Sequence, residues 1–255
     1  MRKTVFNYVL LCLLLSCCTS GKVQNPDALS LLAELDKETP LNQLSKEEKK
    51  QGWMLFSDGK SFDNWHGFNM DEVPDCWIIE DGAFKVLTEG GEESNKGLVT
   101  DKVYKDFAIS LEFKVDKGAN SGIIFQVAED TSYTYAYETG PEYQVIDHEG
   151  WPGDTLTDYQ ICGANYAMYA PKAKPFKPAG EWNQAFLMVK DNKVTQILNG
   201  EIVVEYEKYS EEWTKLRNDG KWSAFPDYGK YDEGHIVLQN HSTTVWYRNI
   251  KLKEL

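Results

Sequence analysis

The chain has 255 residues, a formal net charge of −13 at pH 7 and 42% hydrophobic residues. This length fits one large domain with a real core once an export signal is removed. The acidic balance disfavours nucleic acids and anionic membrane surfaces as partners. Its 8 Trp and 14 Tyr residues suit both core packing and stacking on sugar rings.

The N-terminus has the pattern of an export signal. Arg2 and Lys3 precede an apolar run at residues 9–15 that is too short to span a bilayer. Residues 14–17, Leu-Leu-Ser-Cys, resemble a bacterial lipobox, in which the cysteine becomes the lipidated first residue. We therefore expect a lipoprotein signal peptide over residues 1–17 and a lipid anchor on Cys17. The protein would face the periplasm or the cell exterior. The alternative to a lipoprotein signal peptide is an ordinary secretory signal.

Residues 18–50 are predicted to be a tether with short helices. Ser45 followed by Glu48 is a capping box, which indicates a helix N-terminus. Cys76 and Cys162 are the cysteines left in the domain that follows. They either form one disulfide or, as we favour, pack as small apolar side chains.

From residue 51 to 255 the pattern is that of a β-protein. Short runs rich in β-branched and aromatic residues alternate with turn signals, which is typical of a sandwich or barrel. Asp81-Gly82 and Asn199-Gly200 each predict a two-residue hairpin turn. Residues 107–115 alternate apolar and polar side chains, as expected for a half-buried strand. We predict an all-β, antiparallel β-sandwich with a short N-terminal helical segment.

The most informative strand is at residues 142–148, Glu-Tyr-Gln-Val-Ile-Asp-His. Alternation places Glu142, Gln144 and His148 on one face, with Tyr143 on the other. A β-bulge after Gln144 would bring Asp147 to the side of Glu142. The polar face is either a solvated surface or the floor of a carbohydrate cleft.

Several motifs resemble one family, in the same order along residues 50–255. They are Leu55-Phe56-Ser57-Asp58-Gly59-Lys60 with Trp65, Asn120-Ser121-Gly122-Ile123, the Glu142-x-Gln144-x-x-Asp147 strand, Gly180-Glu181-Trp182-Asn183, Asn199-Gly200, Leu238-Gln239-x-His241 and Arg248-Asn249-Ile250. The family is that of 3-keto-disaccharide hydrolases, long known only as a domain of unknown function. The resemblance implies a concanavalin A-like lectin/glucanase jelly roll that acts on glycosides oxidised at C3.

The same strand is similar to the E-x-D-x-x-E strand of laminarinase-type glucanases. Here Gln144 replaces the middle Asp, and Asp147 replaces the last Glu. Retaining hydrolysis needs two carboxyl groups about 5–5.5 Å apart. The departure therefore disfavours that route.

A 3-keto group acidifies the C2 hydrogen and permits elimination of the aglycone followed by hydration. That chemistry needs a base, an acid and donors for an oxyanion. Glu142 and His148 are our candidates for the base and the acid, and either residue can take either role. Asp147 is a further catalytic candidate. A divalent metal held by these three side chains is a second option. Further candidates for sugar binding are Asn120, Gln144, Trp151, Tyr166, Gln239, His241 and Arg248.

Each candidate also has a structural interpretation. Arg248 shares strand parity with Trp246 and Ile250, so a paired, half-buried arginine is an alternative. Asn120 belongs to a sequence that is typical of turns, and His241 follows a strand where a hairpin can close. The alternatives for the whole protein are a non-catalytic sugar-binding lipoprotein and an ordinary glucanase-like glycosidase. In each case we expect a monomer whose partner is a carbohydrate.

Overall fold

The computed structural model describes residues 27–88 and 96–255, so the predicted signal peptide and Cys17 lie outside the described residues. Within them, two antiparallel sheets pack as a β-sandwich with three short α-helices. The predicted fold class is confirmed. No helix in the described part of the chain combines the length and apolar character needed to cross a membrane.

Thirteen strands make up the two sheets of the described chain. In order they are β1 Met54–Leu55, β2 Trp65–Gly67, β3 Trp77–Glu80, β4 Ala83–Val86, β5 Leu98–Thr100, β6 Phe107–Val115, β7 Asn120–Val127, β8 Glu142–Ile146, β9 Asn183–Lys190, β10 Lys193–Leu198, β11 Glu201–Glu207, β12 His235–Leu238 and β13 Val245–Glu254. The helices are α1 Ala28–Ala33, α2 Lys46–Lys50 and α3 Glu211–Asp219. One sheet has eight strands in the order β11-β10-β9-β6-β13-β4-β3, with β1 also paired to β13. The other has five, in the order β2-β5-β12-β7-β8.

The hairpin turns follow the sequence signals. Asp81 and Gly82 have φ of 50° and 76°, and Asn199 and Gly200 have φ of 48° and 87°. Positive φ at both central residues is what a type I′ turn requires, and Asn, Asp and Gly reach it with least strain. Both predicted hairpins are therefore present, as β3–β4 and β10–β11.

The core lies between the sheets. Alternate residues of β6, from Phe107 to Val115, are at most 1% exposed and pack there, as their period-2 pattern predicts. Ile123 of β7 and Tyr143 of β8 reach the same core from the five-stranded sheet. Cys76 and Cys162 are buried in it as thiols, without a disulfide between them.

The N-terminal segment covers the outer face of the eight-stranded sheet. Leu31 of α1 packs with Trp53 against Phe186 and other side chains of that face. Helix α2 carries the predicted capping box, in which the Ser45 and Glu48 side chains each accept a hydrogen bond from the other residue's backbone N–H. The segment is thus part of the folded domain, on the side of the sandwich opposite the five-stranded sheet.

Candidate active site

Glu142 is the first residue of β8, and its side chain lies on the outer face of the five-stranded sheet. Tyr143 and Val145, which alternate with it, are buried in the core. The strand pair places Glu142 opposite Ile124 of β7, with no shift of register along β8. A Cβ atom on Gly122 would lie only 2.8 Å from both Cγ and Cδ of Glu142. The missing side chain at Gly122 therefore makes room for the carboxyl group of Glu142.

The surroundings of the Glu142 carboxyl group disfavour its ionised form. The residue is 4% exposed, and no described residue donates a hydrogen bond to its carboxyl oxygens. Burial raises the pKa of Glu142 to about 8, although the charge of Lys221 acts in the opposite direction. The group is therefore mainly protonated at pH 7 in the free protein, and it can act as a base near pH 8.

A cavity of about 180 Å³ opens on the same sheet face. Ile124 and Val237 contribute apolar lining, and Gln239 and His241 contribute polar groups. The backbone N–H of Gln239 donates to the carbonyl of Gly122 (2.8 Å), so Glu142 and Gln239 flank the same glycine. Gln239 Oε1 is buried and has no hydrogen-bond partner among the described residues. An unpaired acceptor beside a buried acid is the arrangement that a bound polar ligand completes.

Aromatic side chains wall this face. The rings of Tyr135 and Tyr137 stack with centroids 5.0 Å apart, and both line the cavity. The backbone N–H of Tyr166 donates to the carbonyl of Glu142 (3.0 Å), which fixes Tyr166 next to the acid. Lys221 lies over the Tyr166 ring, 4.4 Å from its centroid. Faces of this kind suit the apolar faces of a sugar ring.

Two further predicted residues lie along the same strands with mainly structural contacts. Gln144 accepts from the backbone N–H of Val145 and donates to the carbonyl of Gln160, so both ends of its amide are occupied. Asn120 is opposite Ile146, at the far end of the β7–β8 pair from Glu142. Its Oδ1 is buried without a partner among the described residues, as for Gln239.

The structure does not bring Asp147 and His148 to Glu142. The bulge expected after Gln144 is absent from the β7–β8 pairing, which is regular as far as Ile146. Asp147 Oδ2 accepts from the backbone N–H of Gly118 (2.8 Å), and its Oδ1 accepts from that of Gly150 (3.1 Å). Asp147 therefore stabilises the turns beyond the strand.

His148 lies beyond the same end of β8. Its ring packs on Phe176 with centroids 4.9 Å apart. Burial lowers the pKa of His148, so the imidazole is neutral at pH 7. Across residues 27–88 and 96–255, no group of three or more His, Cys, Asp and Glu side chains is arranged to hold a metal ion. The set of Glu142, Asp147 and His148 proposed from the sequence is therefore not assembled.

Trp151 and Arg248 lie away from the acid as well. Trp151 follows the turn stabilised by Asp147 and packs against the main core. Arg248 is on β13 of the eight-stranded sheet, where it pairs with Glu112 and lies 3.7 Å from the centroid of the Trp182 ring. This is the paired, half-buried arginine that was the structural alternative.

Comparisons with known proteins agree with the architecture. Residues 52–253 match the family described as the 3-keto-alpha-glucoside-1,2-lyase-like domain. The chain belongs to this family. A Bacteroides thetaiotaomicron protein named 3-keto-disaccharide hydrolase is 34% identical over 243 residues, which cover 86% of this chain and 84% of that protein. Family membership makes the chain a carbohydrate-active, glycoside-cleaving enzyme, and it confirms the resemblance seen in the sequence.

Solved structures of family-like proteins share the fold. A crystal structure from Parabacteroides distasonis, described as that of a suspected glycosyl hydrolase, has a TM-score of 0.80 and 38% identity, with 85% of this chain and all of that chain covered. A second structure from the same organism, with the same description, has a TM-score of 0.56 and 24% identity. It covers 76% of this chain and 100% of its own, and at that identity it supports the fold alone.

Sequence reasoning did not single out Lys221, Tyr135 or Tyr137. All three lie in segments between strands, where no periodic pattern marks a side chain as facing the site. Gly122 belongs to one of the sequence motifs, but the requirement for glycine at this position is evident only from the packing of Glu142 across it.

Proposed function

We propose that the protein cleaves 3-keto-glycosides, 3-keto-disaccharides among them, by elimination and hydration, with Glu142 as the base that removes the C2 hydrogen. The observation that carries this proposal is the buried carboxyl group of Glu142 beside the cavity, with a pKa of about 8 and no hydrogen-bond donor of its own. The name and the identity of the Bacteroides thetaiotaomicron relative support the substrate class.

The reaction begins when the Glu142 carboxylate takes the proton from C2. The C–H electron pair forms a C2–C3 double bond, and the C3 carbonyl π pair moves to O3 to give an enediolate. When the C3 carbonyl forms again, the double bond moves to C1–C2 and the C1–O bond to the aglycone breaks. The proton held by Glu142 passes to the departing oxygen, and water then adds across C1–C2 with its hydroxyl group at C1 and its hydrogen at C2. The sum is substrate plus water to give a 3-keto sugar and a free aglycone alcohol.

The cavity suits a single sugar ring. Its volume of about 180 Å³ is well below the ~300–1,000 Å³ typical of drug-sized ligands. Ile124 and Val237 offer an apolar floor, and Gln239 Oε1 offers an unpaired acceptor for a hydroxyl group. Gln239, which lines the cavity, is hydrogen-bonded through its backbone N–H to Gly122, across which the Glu142 side chain extends.

Direct displacement at C1 is less well supported. A partner carboxylate about 5 Å from Glu142, as retaining hydrolysis requires, would raise the pKa of Glu142 by charge repulsion. The shift of the Glu142 pKa instead arises from burial, and the one charge that acts on it is the cation of Lys221. Asp147, the partner suggested by the sequence, is occupied in turns at the other end of β8.

A non-catalytic sugar-binding protein is the second reading, and Glu142→Gln separates the two. Gln keeps the shape and the hydrogen-bonding capacity of the side chain but cannot accept the C2 proton. With 3-keto-trehalose or a chromogenic 3-keto-glucoside, we expect turnover to fall by on the order of 10²–10⁴ while calorimetric binding is retained. Glu201→Gln, at an exposed position on β11, is the control. Full activity of Glu142→Gln would remove this residue from the reaction.

We also propose that the protein is exported and anchored by a lipid on Cys17. The lipobox-like motif supports the anchor. The packing of α1 indicates which face of the sandwich lies away from that anchor. Because α1 lies on the eight-stranded sheet, an anchor that precedes it leaves the Glu142 face on the opposite side of the sandwich. Cys17→Ala should abolish metabolic labelling with palmitate. Persistent label on that variant would point to Cys18 or another site.

A further inference from the structure

Lys221 is a cation held beside the candidate site without an acidic partner. It begins the short 3₁₀ turn Lys221–Ala224, which follows α3 in the segment between β11 and β12. Its Nζ lies 4.4 Å from the ring centroid of Tyr166, 4.7 Å from that of Trp222 and 5.5 Å from that of Tyr137. In the described part of the chain no carboxylate comes within ion-pair distance of it.

Three aromatic faces account for its position. Each ring face attracts the ammonium group, and three such contacts together favour one location for a flexible side chain. The rings are themselves fixed, because Trp222 is buried and its Nε1 donates to the carbonyl of Tyr166 (3.1 Å). Unlike a carboxylate, the rings leave the N–H donors of the ammonium group free for another acceptor.

Lys221 is also the cation that interacts electrostatically with the Glu142 carboxyl group. Its charge lowers the pKa of Glu142 against the effect of burial. The other titratable side chains that interact electrostatically with the acid are Tyr137, Tyr228 and Tyr247; Tyr166 lies next to it and His241 lines the cavity. Lys221 is therefore the positive charge that the described structure places at this face of the site.

We propose that Lys221 is a catalytic residue that stabilises the negative charge on O3 of the enediolate. This inference rests on the proposed function, because it takes Glu142 as the base at C2. When the C2–H electron pair forms the C2–C3 double bond, the negative charge appears on O3. This oxygen is only two bonds from C2, the carbon whose proton Glu142 removes. A group that stabilises O3 must lie on the same face as the base, with donors free. Lys221 lies over the ring of Tyr166, whose backbone N–H is hydrogen-bonded to the Glu142 carbonyl, and near the ring of Tyr137, which lines the cavity; no carboxylate of the described residues pairs with it. The ammonium group gives up no proton in this step, and its charge is unchanged when O3 returns to a carbonyl.

Three variants test the role. Lys221→Met removes the charge and keeps an unbranched side chain of similar length, Lys221→Arg keeps the charge, and Lys215→Met is the matched control. Lys215 lies on α3 in the same segment and pairs with Asp219, away from the aromatic rings. Lys221 is exposed, so all three variants should fold, and melting temperatures verify this.

For Lys221→Met we expect kcat on 3-keto-trehalose to fall by about 10²–10³, the usual loss for one oxyanion donor. The acidic limb of its kcat/KM profile should also move to higher pH, because the carboxylate of Glu142 loses a favourable charge. Lys221→Arg should retain the position of that limb and part of the rate, and Lys215→Met should behave as wild type.

Two results would overturn the role of Lys221 alone. One is wild-type kcat with an unmoved pH limb in Lys221→Met. The other is a raised KM with unchanged kcat, which indicates uniform substrate binding instead of transition-state stabilisation. In both cases a loss of turnover in Glu142→Gln would leave the proposed function standing. Full activity of Glu142→Gln would overturn both.

Discussion

The side chain of Glu142 extends across Gly122 of the neighbouring strand, in space that any larger residue would fill. A Cβ atom on Gly122 would approach Cδ of Glu142 to 2.8 Å. Since Gly122 has no positive φ, its backbone conformation is open to other residues, and the requirement for glycine is one of space. This pair links a sequence motif on β7 to the chemistry of β8.

Gly122→Ala should therefore displace the carboxyl group and leave the sandwich intact. The atoms that the new methyl group meets belong to the Glu142 side chain, which can move, and not to the backbone. We expect kcat to fall by on the order of 10²-fold, as for a misplaced catalytic group, with a melting temperature close to that of wild type. In the double variant with Glu142→Gln, the alanine should cost almost nothing further. Additive losses in that double-mutant cycle would show that Gly122 acts independently of Glu142.

The pH dependence of kcat/KM should report the free Glu142 carboxyl group. Burial raises its pKa to about 8, and the base is the ionised form, so activity should rise with pH through about 8 and not through the ordinary range near 4.5. A profile from pH 4 to 10 on a chromogenic 3-keto-glucoside measures this. A limb that is complete by pH 6 would exclude a buried, neutral Glu142 as the resting state.

His148→Ala tests whether the histidine acts with Glu142, as the sequence suggested. Strand β8 alone separates the Cα atoms of Glu142 and Ile146 by about 13 Å, and His148 comes two residues later. From the structure we expect kcat within about threefold of wild type, because a group this far from the base cannot supply the 10²–10⁴-fold effect of an acid catalyst. A loss of that size, in a variant that remains folded, would restore His148 as the acid.

The N-terminal segment should contribute to stability through a buried ion pair. Lys251 Nζ lies 2.7 Å from Glu48 Oε1, and the two side chains are 4% and 0% exposed. Lys251→Met leaves the Glu48 carboxylate buried without its partner, which typically costs about 3–5 kcal/mol in the free energy of unfolding. The double variant with Glu48→Gln should recover part of that loss. Urea denaturation measures both, and a single variant as stable as wild type would show that the segment does not depend on the pair.

The fold was predictable because its signals are local. The alternation of residues 107–115, the turns at Asp81-Gly82 and Asn199-Gly200 and the capping box of Ser45 each depend on a few neighbouring residues. The buried face of α1 is less readily predicted from its sequence: Leu29 is 47% exposed, whereas Leu31 is buried. A helix of six residues has too few turns for the period to fix its buried face.

The site was predictable only in part. Glu142 stood out because a charged residue alternates with buried aromatic and aliphatic ones along one strand. The grouping of His148 and Asp147 with it came from strand alternation and an expected bulge, but an extended strand separates residues by about 3.3 Å per residue even when they share a face. Lys221 approaches the acid from an insertion almost eighty residues away, and only tertiary contacts reveal it.

The most direct test of the account is deuterium at C2 of the released 3-keto sugar after turnover in D₂O. Elimination removes the C2 hydrogen and hydration replaces it, so wild-type protein should place deuterium at C2, read by mass spectrometry or NMR. Free 3-keto sugar incubated in the same D₂O with Glu142→Gln corrects for spontaneous exchange. If the product contains no more deuterium at C2 than spontaneous exchange explains, the glycosidic bond is cleaved by direct displacement at C1. Glu142 is then not the base proposed here.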